Sequence, residues 1–428
     1  MTRAGWKTLL LALLVGVSLV ESFWLWRGLW QNSTEVGIGQ APLLPAAAQP
    51  DARTVTRPVE IRVKYAGTGR PSVLLPGDPA YQDWLTRLAR LSLRNLHPVA
   101  NAPDDGTTVV FQFGTTLDHP TLSRWVPALR NTPLAVAAET VTLYLPIGSD
   151  TVYLALASRS GDYVAETDLP PNLFANAIRS TVWSARFVSW NGSDGWVPLK
   201  PMEVAASTWR TDRAGLMPLV RSFFVNPAAL TRIPENTATW VWTDGSRVVR
   251  WDEAQDALTY EDPNQTAPLR RRLPALQLAL GFVRTHGGVP ADTVVEEEDD
   301  SIFADALQAF TFVPYDQGLP ILSDGTAYEA DVSHGTVVRF TRPLRERVRR
   351  TRVWQVAVLS GSQMWKALQR IEPAISPGDV TVVFGYAVRP HGADAVDLLP
   401  AYFISESGIV MWVLDARTGS VMEGMTAP

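Results

Sequence analysis

The pattern of apolar and polar positions separates one membrane-like stretch from a long region of short, periodic segments. Leu9 to Val20 is apolar except for Ser18, and the full run from Thr8 to Trp26 is nineteen residues long. At ~1.5 Å per residue it spans about 28 Å, close to the hydrocarbon core of a bilayer. Arg3, Trp6 and Lys7 stand at one margin and Phe23, Trp24, Trp26 and Trp30 at the other, where amphipathic rings favour the headgroup level. The basic N-terminus predicts residues 1–7 in the cytoplasm, an anchor over 8–30, and the rest outside. A cleaved signal peptide is the competing reading, with a loose small-residue site at Val20-Glu21-Ser22; the apolar run outlasts the usual length of such a segment. On a helix, Glu21 shares a face with Leu14, Val17, Ser18, Trp24 and Leu25, and Ala12 and Gly16 form a small-xxx-small pair beside it. This is the expected contact face for a partner's transmembrane helix. The alternative for Glu21 is a carboxylate that reaches the interface.

Residues 31–57, rich in proline and alanine, read as a linker. A strand is expected from Val59, where Ile61, Val63 and Tyr65 alternate. Asp78-Pro79 starts a helix whose apolar positions Tyr81, Trp84, Leu85, Leu88 and Leu91 carry it to about Leu96. Strands are expected at 107–113, 134–138, 141–145, 152–157 and 187–190, and a helix at 172–183. This makes an external unit over 58–200. A second unit, 201–290, has a helix from Arg213 to Phe224. Its hairpin series turns at Asp244-Gly245 between β-branched and aromatic runs, and a further helix covers 269–284. A third unit, 291–428, repeats the plan, with Ser360 or Ser362 capping a helix over 363–371. The expected fold is α+β: a single N-terminal transmembrane helix and a three-domain external region of antiparallel sheets with packed helices.

Composition narrows the chemistry. In 428 residues there is no cysteine, so disulfides, thiolate metal sites and cysteine nucleophiles are excluded. The net charge of −5 argues against nucleic acid as a partner. Five histidines each stand beside a proline or glycine, a turn context, and no two have metal-ligand spacing. Phosphate-binding loops, the G-x-S-x-G elbow and the S-x-x-K motif are missing. No cofactor, metal or catalytic residue is therefore expected. Two charge blocks remain. Glu296–Asp300 reads as a solvated inter-domain loop, with a cation or basic partner as the alternative. Arg342, Arg345, Arg347, Arg349, Arg350 and Arg352 read either as a solvated strand edge or loop, or as a face for an anionic partner: wall polymer, lipid headgroups or an acidic protein surface.

Three features together resemble the YycH (WalH) family. They are the anchor ending in SFWLWRGLW, the central block from FFVNPAALTRIPENTATWVWTDG to LTYEDP, and the C-terminal series VVRFTRPL, SGSQMWKAL, FGYAVRP and LLPAYFI. The Gly-Tyr and Leu-Pro-Ala-Tyr elements are also similar to the smaller YycI family. The resemblance covers the anchor and roughly residues 215 to 420, and is weak over 58–200. It implies a membrane-anchored, non-enzymatic regulator of the WalK/YycG sensor histidine kinase of the cell wall, with the anchor contacting the kinase's transmembrane helices and a YycI-like membrane protein as a further partner. The competing functions are a wall-polymer or lipid binding module and a wall-active hydrolase.

Overall fold

The computed structural model describes residues 51–422, except 67–68, 101–105, 133, 159–160, 192–194, 264–273, 299–306 and 324. The described chain is mixed α+β, with mostly antiparallel sheets and few helices. The anchor expected over 8–30 lies outside the described residues. Among those described, no helix is long and apolar enough to cross a membrane.

Two sheets carry the architecture. The larger has 14 strands among the described residues and ends at Arg345–Val358 on one side and Leu93–Val99 on the other. Inward from Arg345–Val358 come Met202–Arg213, Ala395–Glu406 and Val380–Pro390. Three short strands, Trp196–Pro198, Phe187–Ser189 and Ser72–Leu74, lead on to Pro58–Lys64 and Thr107–Leu117. The smaller sheet has nine strands and begins with the hairpins Thr231–Pro234, Thr239–Thr243, Val248–Asp252 and Ala257–Glu261. It continues through Thr336–Pro343 and Tyr328–Ser333 to Leu307–Asp316 and Thr293–Glu298. Met202–Arg213, at the head of the expected second unit, is therefore a strand of the larger sheet. The sheets touch where Gly114 meets Val295: a Cβ there would lie 2.3 Å from the Val295 carbonyl oxygen, so only glycine allows the approach. The neighbouring Thr115 hydroxyl donates to Glu297 at 2.7 Å.

Local patterns and pairing explain where the elements fall. The helix Pro79–Arg90 buries Tyr81, Trp84, Leu85 and Leu88, the i, i+3, i+4, i+7 stripe of an amphipathic helix. Trp84 donates its Nε1–H to Thr181 at 3.0 Å and meets Phe174 edge-on, with ring centroids 5.9 Å apart. Asp78 stands at the N-cap position, but its carboxylate turns back to accept the Leu75 amide at 2.9 Å. In the third region Ser360 and Gln363 form a reciprocal capping box for Gly361–Ile371.

Several expectations are corrected. The helix from Pro79 stops at Arg90 rather than near Leu96, because Leu93–Val99 is a strand paired with Asp162–Thr167. Cross-strand pairing outweighs a few residues of helical pattern there. Arg213 ends the strand Met202–Arg213, and the helix that follows is Leu216–Ser222. The stretch 134–136 is not a strand; the strand is Ala138–Leu145. Pro274 is the N-cap of the helix Ala275–Thr285, not an interior residue. Glu296 and Glu297 belong to the paired strand Thr293–Glu298, not to a loop.

Candidate functional site

Each of Ala12, Leu14, Gly16, Val17, Ser18, Glu21, Trp24 and Leu25 lies outside the described residues. The six arginines of the basic block are described, and the structure places them in three environments.

Arg342 is 0% exposed. It sits in Thr336–Pro343 of the smaller sheet, below the C-terminus of the helix Ala275–Thr285. Its Nη1 donates to the His286 carbonyl at 2.6 Å, satisfying a helix-end acceptor, and its Nη2 pairs with Glu346. Gly287 makes room for this guanidinium: its φ is +98°, and a Cβ there would lie 2.0 Å from Arg342 Nη1. Arg342 is thus a structural charge and takes no part in an exposed basic face. His286 is also packed rather than merely in a turn. It stacks on Phe223 at 4.2 Å, contacts the Ser222 hydroxyl through Nδ1 at 2.9 Å, and is held by burial and by Arg342 at a pKa of about 3.

Arg347 and Arg350 form the second environment, on the strand Arg345–Val358. Both stack on Trp209 of the paired strand, 5.4 and 4.9 Å from the ring centroid. Arg350 pairs with Asp316, which is 4% exposed and also accepts the Ser207 hydroxyl at 3.1 Å and the Trp209 indole at 3.4 Å. Burial lowers the pKa of Arg347, and the Asp316 carboxylate partly offsets this. One guanidinium nitrogen of Arg347, Nη1, is sealed from water without a hydrogen-bond partner.

Arg345, Arg349 and Arg352 are exposed. Arg345 donates to the Ala393 carbonyl at 2.6 Å, and Arg352 lies 5.1 Å over Trp354. Their strand ends the larger sheet and pairs with Met202–Arg213 alone among the described strands, so its other backbone edge is open.

Where the sheets meet, these strands wall a cavity of about 620 Å³. Arg345, Glu346 and Arg347 line it from one strand and Thr211 and Arg213 from the next, while Tyr328 closes it from the smaller sheet. Thr211 is directly opposite Arg347 in register. It is 6% exposed, and its Oγ1 has no hydrogen-bond partner. Arg213 and Arg345 share Asp256, at 2.8 and 3.7 Å. A second concavity of about 750 Å³ adjoins, with Ile321, Ser323 and Pro343 in both walls. Sequence reasoning found Arg345 and Arg347 but missed Thr211 and Tyr328. No local signal marks a threonine whose neighbour across the ladder, Arg347, is 136 residues further along the chain. Among the described residues, no three His, Asp or Glu side chains converge as a metal site.

No protein-family model matches the sequence, and no curated protein matches it. The solved structures do. The crystal structure of YycH from Bacillus subtilis superposes with a TM-score of 0.61 at 12% identity, covering 85% of this chain and 97% of that one. An uncharacterized protein from Eubacterium rectale gives a TM-score of 0.35 at 12% identity over 52% of this chain and 86% of that one. The described chain thus has the fold of YycH from Bacillus subtilis, nearly from end to end of that protein.

Proposed function

We propose that this chain is a YycH-type protein: membrane-anchored, exposed outside the cytoplasm, and a modulator of a cell-wall sensor histidine kinase rather than an enzyme. The observation that carries the reading is the likeness of fold over 85% of the chain. The nineteen-residue span and basic N-terminus support the anchored topology. The sequence resemblance supports the kinase and a YycI-like membrane protein as partners. In this reading the anchor face Leu14, Val17, Ser18, Glu21, Trp24 and Leu25, with Ala12 and Gly16 beside it, contacts the kinase's transmembrane helices. The open strand edge bearing Arg345, Arg349, Arg350 and Arg352 faces an acidic partner surface. A helix biases a kinase only by contacting its two states differently.

The test is an anchor exchange in membranes. Replacing Leu9–Trp26 with an unrelated span is expected to abolish co-purification with the kinase and its effect on kinase output, while the chain still reaches the surface. Glu21→Ala alone should change output about threefold at most, the equivalent of ~0.6 kcal/mol for one intramembrane polar contact. An exchanged protein that regulates as well as the native one makes the span a tether and moves the contact to the external region. A chain that binds no sensor kinase in either form overturns the proposal.

A further inference from the structure

The geometry points to a ligand site in the cavity between the two sheets, one that takes a small organic carboxylate, from an amino acid to a short peptide in size, with Arg347 and Thr211 as its anchoring donors. This is independent of the kinase reading. The volume of about 620 Å³ lies in the usual range of small-molecule sites. Native proteins leave few buried polar groups unpaired, since each costs folding free energy. Here three line one cavity: the acceptor Asp256 Oδ1, and two donors on residues that face each other across one ladder, Arg347 Nη1 and Thr211 Oγ1. Four other charges of the wall, Glu346, Asp256, Arg213 and Arg345, are in ion pairs. Glu346 is held by Arg342, and Asp256 by Arg213 and Arg345. Arg347 is the lining guanidinium left with an unused nitrogen, and Trp209 beneath it holds its plane.

The donor set selects the ligand. One guanidinium N–H and one hydroxyl match the two oxygens of a planar carboxylate. A phosphate dianion would bring more charge against Glu346, Asp256 and Glu253 in the same wall. Pro290, Pro314, Pro343 and Val396 provide the apolar part, suited to an aliphatic body. Glu253 is exposed in the wall and can meet an ammonium group. Both donor atoms are sealed from water, so a carboxylate reaches them only once the two side chains rotate toward the cavity.

The full chain in mild detergent would be titrated calorimetrically with tri-alanine, its C-terminal amide and inorganic phosphate. Tri-alanine is expected to saturate with a Kd of about 1 mM or tighter, and the amide and phosphate to bind roughly tenfold more weakly or not at all. Thr211→Val keeps the side-chain shape and removes the unpaired hydroxyl. It should leave the melting temperature unchanged or higher while weakening tri-alanine by roughly tenfold. Arg347→Lys, which keeps the charge but not the planar fork, should weaken it as well. Absence of tri-alanine binding, equal binding of the amide or of phosphate, or unchanged affinity in both variants would overturn the site.

Discussion

The ground beneath the helix Pro79–Arg90 and the joint between the two sheets are built on opposite principles. Under the helix, Trp84, Leu88, Phe111, Phe113 and Ile178 are each no more than 1% exposed, and the Trp84 indole, one of the few polar groups there, is satisfied by Thr181. At the joint, Arg342, Asp316 and Thr211 are buried and Arg347 half-buried, tied by ion pairs and cation–π stacks, with Arg347 Nη1, Thr211 Oγ1 and Asp256 Oδ1 left without a hydrogen bond. The first arrangement stabilises by removing apolar area from water, and volume alone decides its fit. The second contributes little net stability, because desolvation offsets the attraction between its charges. A costly polar joint in an otherwise apolar protein suits a place where something binds or where one sheet responds to the other.

The contrast can be tested by measuring what each region costs to break. Trp84→Ala should destabilise by ~3–5 kcal/mol, read from the urea midpoint at unchanged slope, through the lost transfer energy and the cavity left behind. A loss near 1 kcal/mol would mean that the apolar half is not the stabilising one.

Acid should act on the joint instead. His286 is held at a pKa of about 3 against an ordinary 6.5. The unfolded chain binds its proton first, so the stability His286 contributes is present above about pH 6.5 and lost as pH falls toward about 3. By pH 4 this amounts to ~3 kcal/mol. His286→Phe should flatten that part of the pH–stability curve while leaving Trp84→Ala as costly as before. An unaltered slope would place the acid sensitivity elsewhere.

The smallest expected effect is that of Arg350→Met, ~2 kcal/mol, because Asp316 is left buried with neutral donors only while Arg350 itself is partly solvated. Adding Asp316→Asn should recover much of the loss, and a double-mutant cycle measures the coupling. Strict additivity would show that the pair does not interact in solution.

Local chemistry made part of this fold legible. Pro79 and the stripe from Tyr81 to Leu88 mark a helix because φ restriction and 3.6-residue periodicity both act within a few residues. The Asp244-Gly245 hairpin reads for the same reason: Gly245 adopts φ +88° and Asp244 accepts the Ser246 and Arg247 amides, both at 2.9 Å. The strand Leu93–Val99 did not read, since its ladder is supplied by Asp162–Thr167, some seventy residues away. Glu296 and Glu297 looked like a solvated loop because charge run and strand edge share a composition, and only the pairing with Leu307–Asp316 distinguishes them.

The sequence by itself determined the helix start at Pro79, the Ser360 cap, the Asp244-Gly245 turn and the absence of cysteine chemistry, all of which depend on side-chain identity or near neighbours. Tertiary structure decided the fate of the basic block. Six arginines within eleven positions look alike in sequence. The fold buries Arg342 under a helix end because Gly287 leaves space and the His286 carbonyl needs a donor. It presses Arg347 and Arg350 onto Trp209, and it leaves Arg349 and Arg352 in water on an open edge. A guanidinium's role depends on the acceptors and low-dielectric surfaces around it, and distant segments of chain supply those.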